Sequence, residues 1–332
     1  HHYGYYSDST TYKLEPLYVA DIVFGAGPPS IPKSSVMRDP CVPGPGDEVF
    51  VTCNINDNSS VISAEIIYSV NDENSQSVGM INTGGTSWSG TIPATGSDGV
   101  KVNYYIQAVD DGVDQDGIET GTYPFDSSLD QLGYITKTGD LSISDIQYTD
   151  WSAGNSPFDG CEVSITGIVT AGDEVYVTSG IYAIQSESSP WNGIIFDGWE
   201  DAEFTLGDEV TVTGTIEEYD PEWHFKWDNN TKLINVESST LNSTENSVLP
   251  ITVNTANLSQ ESNIVESYEG CLVTVTNVTV NNLNEFDWSV IDDFGDECLI
   301  DNDWADSDAN VFFGGLQQGT MIESVTGIFN FS

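Results

Sequence analysis

Positively charged side chains are scarce in this sequence of 332 residues. It has 7 Lys and Arg residues against 53 Asp and Glu residues, a formal net charge of −46. Such a negative field repels phosphates and anionic lipids, so nucleic acid is not expected as a partner. The sequence also lacks an apolar run of about 20 residues, the length of a membrane-spanning helix, so membrane insertion is not expected.

Residues typical of metal and catalytic sites are also rare. The chain contains 3 His and 5 Cys residues, and without any C-x-x-C pair a Cys/His zinc site is not expected. No G-x-S-x-G elbow occurs, and His224 lies in an aromatic-rich hairpin with no plausible serine partner. We therefore expect no enzymatic activity and no certain cofactor.

An extracellular or cell-surface location is favoured by the acidic composition and by the many N-x-S/T triplets. No signal peptide is visible, so any export signal is expected outside this segment. Disulfides persist outside the cell, and we predict two, each within one domain: Cys41 with Cys53 and Cys271 with Cys298. Cys161 is left without a predicted partner.

Alternating strands dominate what the sequence does contain. Thr, Val, Ile and Tyr alternate in runs such as "EVFVTCNI", "KVNYYIQAV" and "CLVTVTNVTV", with Gly, Asn, Asp and Ser between them. Helical periodicity is nearly absent. The pattern predicts an all-β chain of short antiparallel strands.

The first predicted domain covers residues 28–125 and follows the linker "FGAGPPSIP". Its segments "AEIIYSVND" and "WSGTIPATGSDGVKVNYYIQAVDDG" resemble the Ig-like, fibronectin-type modules of secreted bacterial proteins. The resemblance implies a sandwich of about seven strands that serves as a spacer or binding platform and carries no catalytic residues.

An internal repeat occupies the rest of the chain. "GCEVSITGIV" at 160–169 matches "GCLVTVTNVT" at an offset of 110, and Gly214 of "VTVTGTIEEY" matches Gly327 at an offset of 113. Together with "WNGIIFDG" and "TKLINVES", these segments resemble the OB-fold-like modules found beside secreted bacterial nucleases. The resemblance implies two five-stranded barrels, at residues 140–240 and 250–332.

The second barrel is predicted to lack its closing strand. In the first copy, "TKLINVES" places Lys232 18 residues after Gly214, whereas the second copy reaches Ser332 soon after Gly327. If the end is joined to the beginning, "TYKLEPL" places Lys13 at the same interval of 18 residues after Gly327. We therefore predict that residues 1–27 are a donor strand and linker that complete an OB-like barrel in trans. The donor residues are Tyr12, Leu14, Leu17 and Val19, and the acceptor edge is formed by Val325, Gly327, Phe329 and Phe331.

Three arrangements satisfy this interval. The chain is one period of a tandem array, or separate subunits lend strands head to tail, or the N-terminus folds back onto its own last barrel, which the short linker disfavours. Strand addition to an open edge is a known mode of recognition, and a head-to-tail contact that does not close gives an open filament. The predicted function is a structural subunit or repeat of an extracellular filament or surface fibre, with copies of itself as partners. A non-catalytic accessory region of a secreted nuclease or hydrolase and a carbohydrate-binding adhesin module are the alternatives.

Three further sets of residues are candidate sites. Two acidic runs could bind calcium, which takes six to eight oxygen ligands; they are Asp110, Asp111, Asp114 and Asp116, and Asp301, Asp303, Asp306 and Asp308. Candidate glycosylation sites are Asn58, Asn229, Asn242, Asn257, Asn277 and Asn330. One strand face carries Trp223, Phe225 and Trp227, either as core or interface or as a stacking platform for surface glycans.

Overall fold

The computed structural model describes residues 27–113, 117–128, 130–150, 155–172, 181–197, 204–218, 230–259, 262–283, 287–301 and 316–330. In these parts the chain is all-β, with several sheets and one closed five-stranded barrel, which confirms the predicted class. None of the helices in these ranges is long and apolar enough to cross a membrane.

Two facing sheets, here called the two-sheet unit, form the first part. Their strands are Met37–Asp39 (β1), Val49–Asn54 (β2), Val61–Val70 (β3), Gln76–Gly79 (β4), Ile81–Gly84 (β5), Ser87–Ile92 (β6), Lys101–Asp110 (β7), Thr120–Tyr123 (β8) and Leu132–Ile135 (β9). One sheet has the order β1-β2-β6-β5, and the other has the order β4-β3-β7-β8 with β9 also paired to β7. Alternate residues of β2 and β6 are buried, as expected when one face of a strand meets a core. Because β9 lies beyond residue 125, the second sheet extends past the predicted boundary.

The closed barrel follows a short helix, Ile143–Gln147 (α1). Its strands are Glu162–Ala171 (β10), Ile181–Gln185 (β11), Gly193–Asp197 (β12), Glu209–Glu218 (β13) and Thr231–Ser243 (β14), in the order β10-β11-β12-β14-β13. Ser142 and Asp145 form a capping box that fixes the start of α1. Ile143 and Ile146 of this helix are fully buried in the barrel core.

The last sheet, as we call it, is open within the described residues. It contains Ile251–Thr252 (β15), Leu272–Leu283 (β16), Asp287–Ile291 (β17), Glu297–Asp301 (β18) and Met321–Ile328 (β19). The order is β15-β16-β17-β18, and β19 pairs with β16. Two 3₁₀ helices, Thr255–Leu258 and Val265–Tyr268, lie between β15 and β16. The last sheet has a separate apolar core around Trp288 and Val290.

The first predicted disulfide is wrong. Cys41 is bonded to Cys161, which links the two-sheet unit to the barrel. Cys53 is a buried free cysteine in the core of the two-sheet unit, whereas Cys41 packs against the barrel core. The side chains of Cys41 and Cys53 therefore belong to different cores, although only 12 positions separate them in the sequence.

The second predicted disulfide, between Cys271 and Cys298, is also wrong, since both are free. Cys298 lies opposite Val290, and Val290 lies opposite Val280 of β16. Nine positions separate Val280 from Cys271, which is roughly 30 Å along a strand. The Cα atoms of a disulfide lie within about 7 Å of each other.

Arg38 reinforces the contact between the two-sheet unit and the barrel. Its Nε donates to the carbonyl oxygen of Cys41 at 3.0 Å, and its Nη2 donates to that of Pro157 at 2.8 Å. The guanidinium also lies 5.4 Å from the ring centre of Tyr134 and 5.7 Å from that of Phe158. The positive charge of Arg38 is therefore stabilised by carbonyl dipoles and aromatic faces where β1 meets the barrel.

Candidate functional site

The two copies of the repeat pair their strands in the same register. In the barrel Val163 lies opposite Gly214, and in the last sheet Val273 lies opposite Gly327. The equivalence holds for five consecutive pairs of β10 with β13 and of β16 with β19. A contact between hydroxyl groups recurs at the same place, as Ser164–Thr213 at 3.2 Å and Thr274–Thr326 at 2.6 Å. The offsets of 110 and 113 found in the sequence are thus equivalences of position in the fold.

The two copies differ in how they close. In the barrel, β14 pairs antiparallel with β13 and parallel with β12, so no edge is left. The strands of the last sheet that correspond to β12 and β13 are β18 and β19. Within the described ranges, β18 pairs only with β17, and β19 pairs only with β16. The space beside the outer edges of β18 and β19 is here called the gap.

The gap leaves apolar side chains uncovered. Val212 and Ile216 of β13 are fully buried, whereas their counterparts Val325 and Phe329 are only partly buried. Cys298 and Ile300 of β18 are only partly buried against the core of the last sheet, whereas their counterparts in β12, Ile194 and Phe196, are fully buried. An apolar seam beside unpaired N–H and C=O groups is an edge that attracts a further strand.

The predicted acceptor residues fall at this place. Val325 and Gly327 lie in β19, and Phe329 follows it directly. Phe329 still pairs with the start of β16, since its N–H donates to the carbonyl oxygen of Cys271 at 2.9 Å. The remaining predicted residues of strand exchange lie outside the described residues: Phe331, Tyr12, Leu14, Leu17 and Val19.

Asp110 and Asp111 of the first acidic run accept hydrogen bonds that stabilise a turn. Asp110 Oδ1 accepts hydrogen bonds from the N–H groups of Gly112 at 3.1 Å and Glu119 at 2.8 Å. A hydrogen bond from the Val113 N–H lowers the pKa of Asp111. Outside the described residues lie Asp114, Asp116, Asp303, Asp306, Asp308 and the side chain of Asp301. In the part of the chain that is described, no three His, Cys, Asp or Glu side chains form a group that could hold a metal ion, and calcium binding stays a prediction.

The candidate glycosylation sites differ in accessibility. Asn58, Asn242 and Asn277 are exposed, whereas Asn257 and Asn330 are partly buried. The Nδ2 of Asn242 donates to the Thr211 hydroxyl at 2.9 Å. The remaining candidates lie outside the described residues, namely Asn229 and the aromatic residues Trp223, Phe225 and Trp227. Modification of these asparagines and glycan stacking on that face remain predictions.

A cluster of three carboxyls, two of them buried and one partly buried, lies where the barrel meets the last sheet and is not predicted from the sequence. It consists of Glu218 at the end of β13, Glu266 in the second 3₁₀ helix and Glu269 just before β16. Burial raises the pKa of Glu218 and of Glu266 to about 7 each, and it also raises that of Glu269. The available signal is the match of "FDGC" at 158–161 with "YEGC" at 268–271, which puts an acid at the start of each copy.

The gap and the cluster of three carboxyls are the two candidate functional sites in the part of the chain that the structure describes. The gap offers main-chain donors and acceptors to one extended strand, antiparallel to β19 and parallel to β18, as β14 shows in the barrel. No protein-family model matches this chain, and no curated protein matches it.

Proposed function

We propose that this chain is a structural subunit or repeat of an extracellular filament, in which residues 12–19 of a neighbouring copy fill the gap. The observation that supports this proposal is the pair of edges on β18 and β19 that no strand of the described ranges covers, in a sheet whose register repeats that of the closed barrel. The neighbour is either a separate subunit or the next repeat of a tandem polypeptide. A disulfide between Cys41 and Cys161 is compatible with a location outside the cell.

The register of the donated strand follows from the barrel. There Leu233 lies opposite Ile216, and the interval of 18 residues puts Leu14 opposite Phe329. Leu14 thereby takes the place of a fully buried leucine. Leu17 takes the place of Val236, which is also buried in the barrel core.

Pro16 is compatible with this register. It falls where the pairing of β14 with β13 is interrupted, between Thr213 and Thr215. A proline lacks an N–H group and is tolerated at such irregularities, where no ladder hydrogen bond is lost. Because each copy is strongly acidic, copies repel one another, and this repulsion limits assembly. Salt screens the repulsion.

We also propose fold assignments for the individual modules. The two-sheet unit is Ig-like, with two packed sheets around one core, and the barrel and the last sheet are OB-like. Support for the second assignment comes from the five strands of the barrel in the order β10-β11-β12-β14-β13. We propose that these modules act as rigid spacers and carry no catalytic residues.

Deletion of residues 1–22 tests the proposal. The shortened chain should be folded and monomeric, with a lowered melting temperature for the last sheet. A synthetic peptide of residues 3–22 should restore that temperature while assembly stays blocked. The control is the same peptide with Leu14→Asp and Leu17→Asp, which should not bind. Filaments formed by the shortened chain, or equal binding of both peptides, would contradict strand donation.

The mass of the chain in native material separates the two kinds of neighbour. A denatured mass near 36.0 kDa indicates separate subunits. A ladder of multiples of that mass indicates a tandem polypeptide in which each repeat lends a strand to the previous one.

A further inference from the structure

Two buried glutamates from different modules are held by the same threonine. Glu218 of the barrel is 4% exposed, and Glu269 of the last module, meaning the last sheet with its two 3₁₀ helices, is 3% exposed. The Thr231 N–H donates to Glu269 Oε1 at 2.7 Å, and the Thr231 hydroxyl donates to Glu218 Oε1 at 2.7 Å. The start of the last module is therefore attached to the barrel through carboxyl groups.

The surrounding junction is tightly packed. A Cβ atom on Gly193 would lie 2.3 Å from the carbonyl carbon of Gly270, so the two backbones touch. The Trp191 N–H donates to the carbonyl oxygen of Ser267 at 2.6 Å. Cys271, directly after Gly270, is fully buried and free. Opening of this junction therefore removes the barrel backbone from Cys271, which also packs in the core of the last sheet.

The first copy of the repeat neutralises the equivalent acid with a lysine. Asp159 corresponds to Glu269 at the offset of 110. Its Oδ2 lies 3.1 Å from Lys33 Nζ, and its Oδ1 accepts the Glu218 N–H at 3.1 Å. The ion pairs of the described residues include none for Glu269, whose charged neighbours are Glu266 and Glu218.

The arrangement of oxygens indicates bound protons. The Oε2 atoms of Glu218 and Glu269 are buried and have no hydrogen-bond partner within the described residues. Burial raises the pKa of Glu269, and the carboxyls of Glu266 and Glu218 both raise it further. A buried carboxylate without a compensating cation or a full set of hydrogen bonds is costly to ionise, so these groups take up protons.

We propose that this junction is a pH-sensitive latch, in which the last module is docked on the barrel while Glu218, Glu266 and Glu269 hold protons and is released when they lose them. The latch does not depend on the proposed strand donation. Besides the three glutamates, two charged groups act on it: Asp159 raises the pKa of Glu218 and Lys33 lowers it. From α1 the cluster is faced by a neutral group, the Gln147 amide, which lowers the pKa of Glu269 and whose Nε2 donates to the Gly193 carbonyl oxygen at 2.7 Å. From β14 it is faced by Thr231.

The direction of the pH effect follows from burial. The docked carboxyls have pKa values raised above the ordinary value of 4.5, so the docked state binds more protons than the released state. Docking is strongest below pH 4.5 and weakens as the pH rises through 7. Between pH 4.5 and 7, the docking constant falls about tenfold per unit rise in pH for each proton that the docked state binds in excess of the released state.

Alkylation of Cys271 measures the opening. Free cysteines are labelled with iodoacetamide between pH 5.5 and 8.5, and the labelling of Cys271 and Cys53 is measured by peptide mass spectrometry. Burial raises the pKa of both thiols to about 11, and Cys53 lies in the two-sheet unit, so the ratio of the two rates removes the intrinsic pH dependence of thiol chemistry. We expect this ratio to rise at least tenfold from pH 6 to pH 8.

Two variants separate a proton latch from simple packing. A triple variant with Glu218→Gln, Glu266→Gln and Glu269→Gln keeps the shape of the side chains but removes all three titrating groups, so the ratio should change less than twofold with pH. Glu237→Gln, at an exposed position of β14, should behave like the parent chain. A flat ratio in the parent chain overturns the proposal even if the triple variant does not fold. An equal rise in the parent and the folded triple variant also overturns it.

Discussion

Phe329 offers a quantitative test of strand donation. Its counterpart in the closed barrel, Ile216, is fully buried, whereas Phe329 is partly exposed beside the gap. Complete burial of a phenylalanine side chain contributes about 1.5–3 kcal/mol. Because Phe329 already packs against the core of the last sheet, the donated strand should add only about 1–1.5 kcal/mol through this ring. Phe329→Ala should therefore weaken binding of the strand about tenfold.

The assay is a titration of the chain without residues 1–22 with a fluorescent peptide of residues 3–22. Phe50→Ala is the matched control, because Phe50 is 51% exposed on the outer face of the two-sheet unit. Phe50→Ala should bind the peptide within twofold of the parent affinity. Circular dichroism checks that both variants are folded. Equal affinities of the parent and Phe329→Ala would refute the assignment of the gap as the acceptor site.

Two further predictions concern the contacts between modules. Replacing Cys41 and Cys161 by serine should lower the free energy of unfolding by about 4 kcal/mol, because the disulfide closes a loop with a sequence separation of 120. An unchanged midpoint of urea unfolding would contradict this prediction. Gly270→Ala should cost about 3 kcal/mol in a thermal melt, because the residue has a φ of +67° and the new Cβ would lie 2.7 Å from the Ile194 nitrogen. Gly295→Ala is the control, because Gly295 has a φ of +92° and nothing within 4 Å of the new Cβ. It should lose about 1 kcal/mol of stability through backbone strain alone. Equal losses for the two variants would show that close packing at the junction contributes nothing.

Features that depend on local sequence could be predicted. Alternation of apolar residues predicts the strands, because one face of each strand meets a core. The repeat predicts the shared register, since "GCEV" and "GCLV" start equivalent strands that pair with Gly214 and Gly327 at the same positions. The position of the open edge on β19 follows from the same comparison.

Features that depend on packing between modules could not be predicted. Cys41 pairs with Cys161 because the loop after β1 lies against the start of the barrel, and no short-range sequence pattern encodes that contact. The carboxyl cluster forms for the same reason: Glu218 and Glu269 are distant in sequence and meet only through the docking of two modules. In a sequence with 53 acidic residues, composition does not distinguish these glutamates from the others.

A register-specific cross-link tests strand donation most directly. Transfer of the Thr215–Ile234 pair of the barrel places Glu15 opposite Ile328, at the short Cα separation of a cross-strand pair. Strand donation predicts that Glu15→Cys combined with Ile328→Cys gives a ladder of disulfide-linked chains on a non-reducing gel. Asp8→Cys combined with Ile328→Cys should give none. Absence of the ladder in the first variant, or equal cross-linking in the second, would contradict the donation of residues 12–19 to the gap.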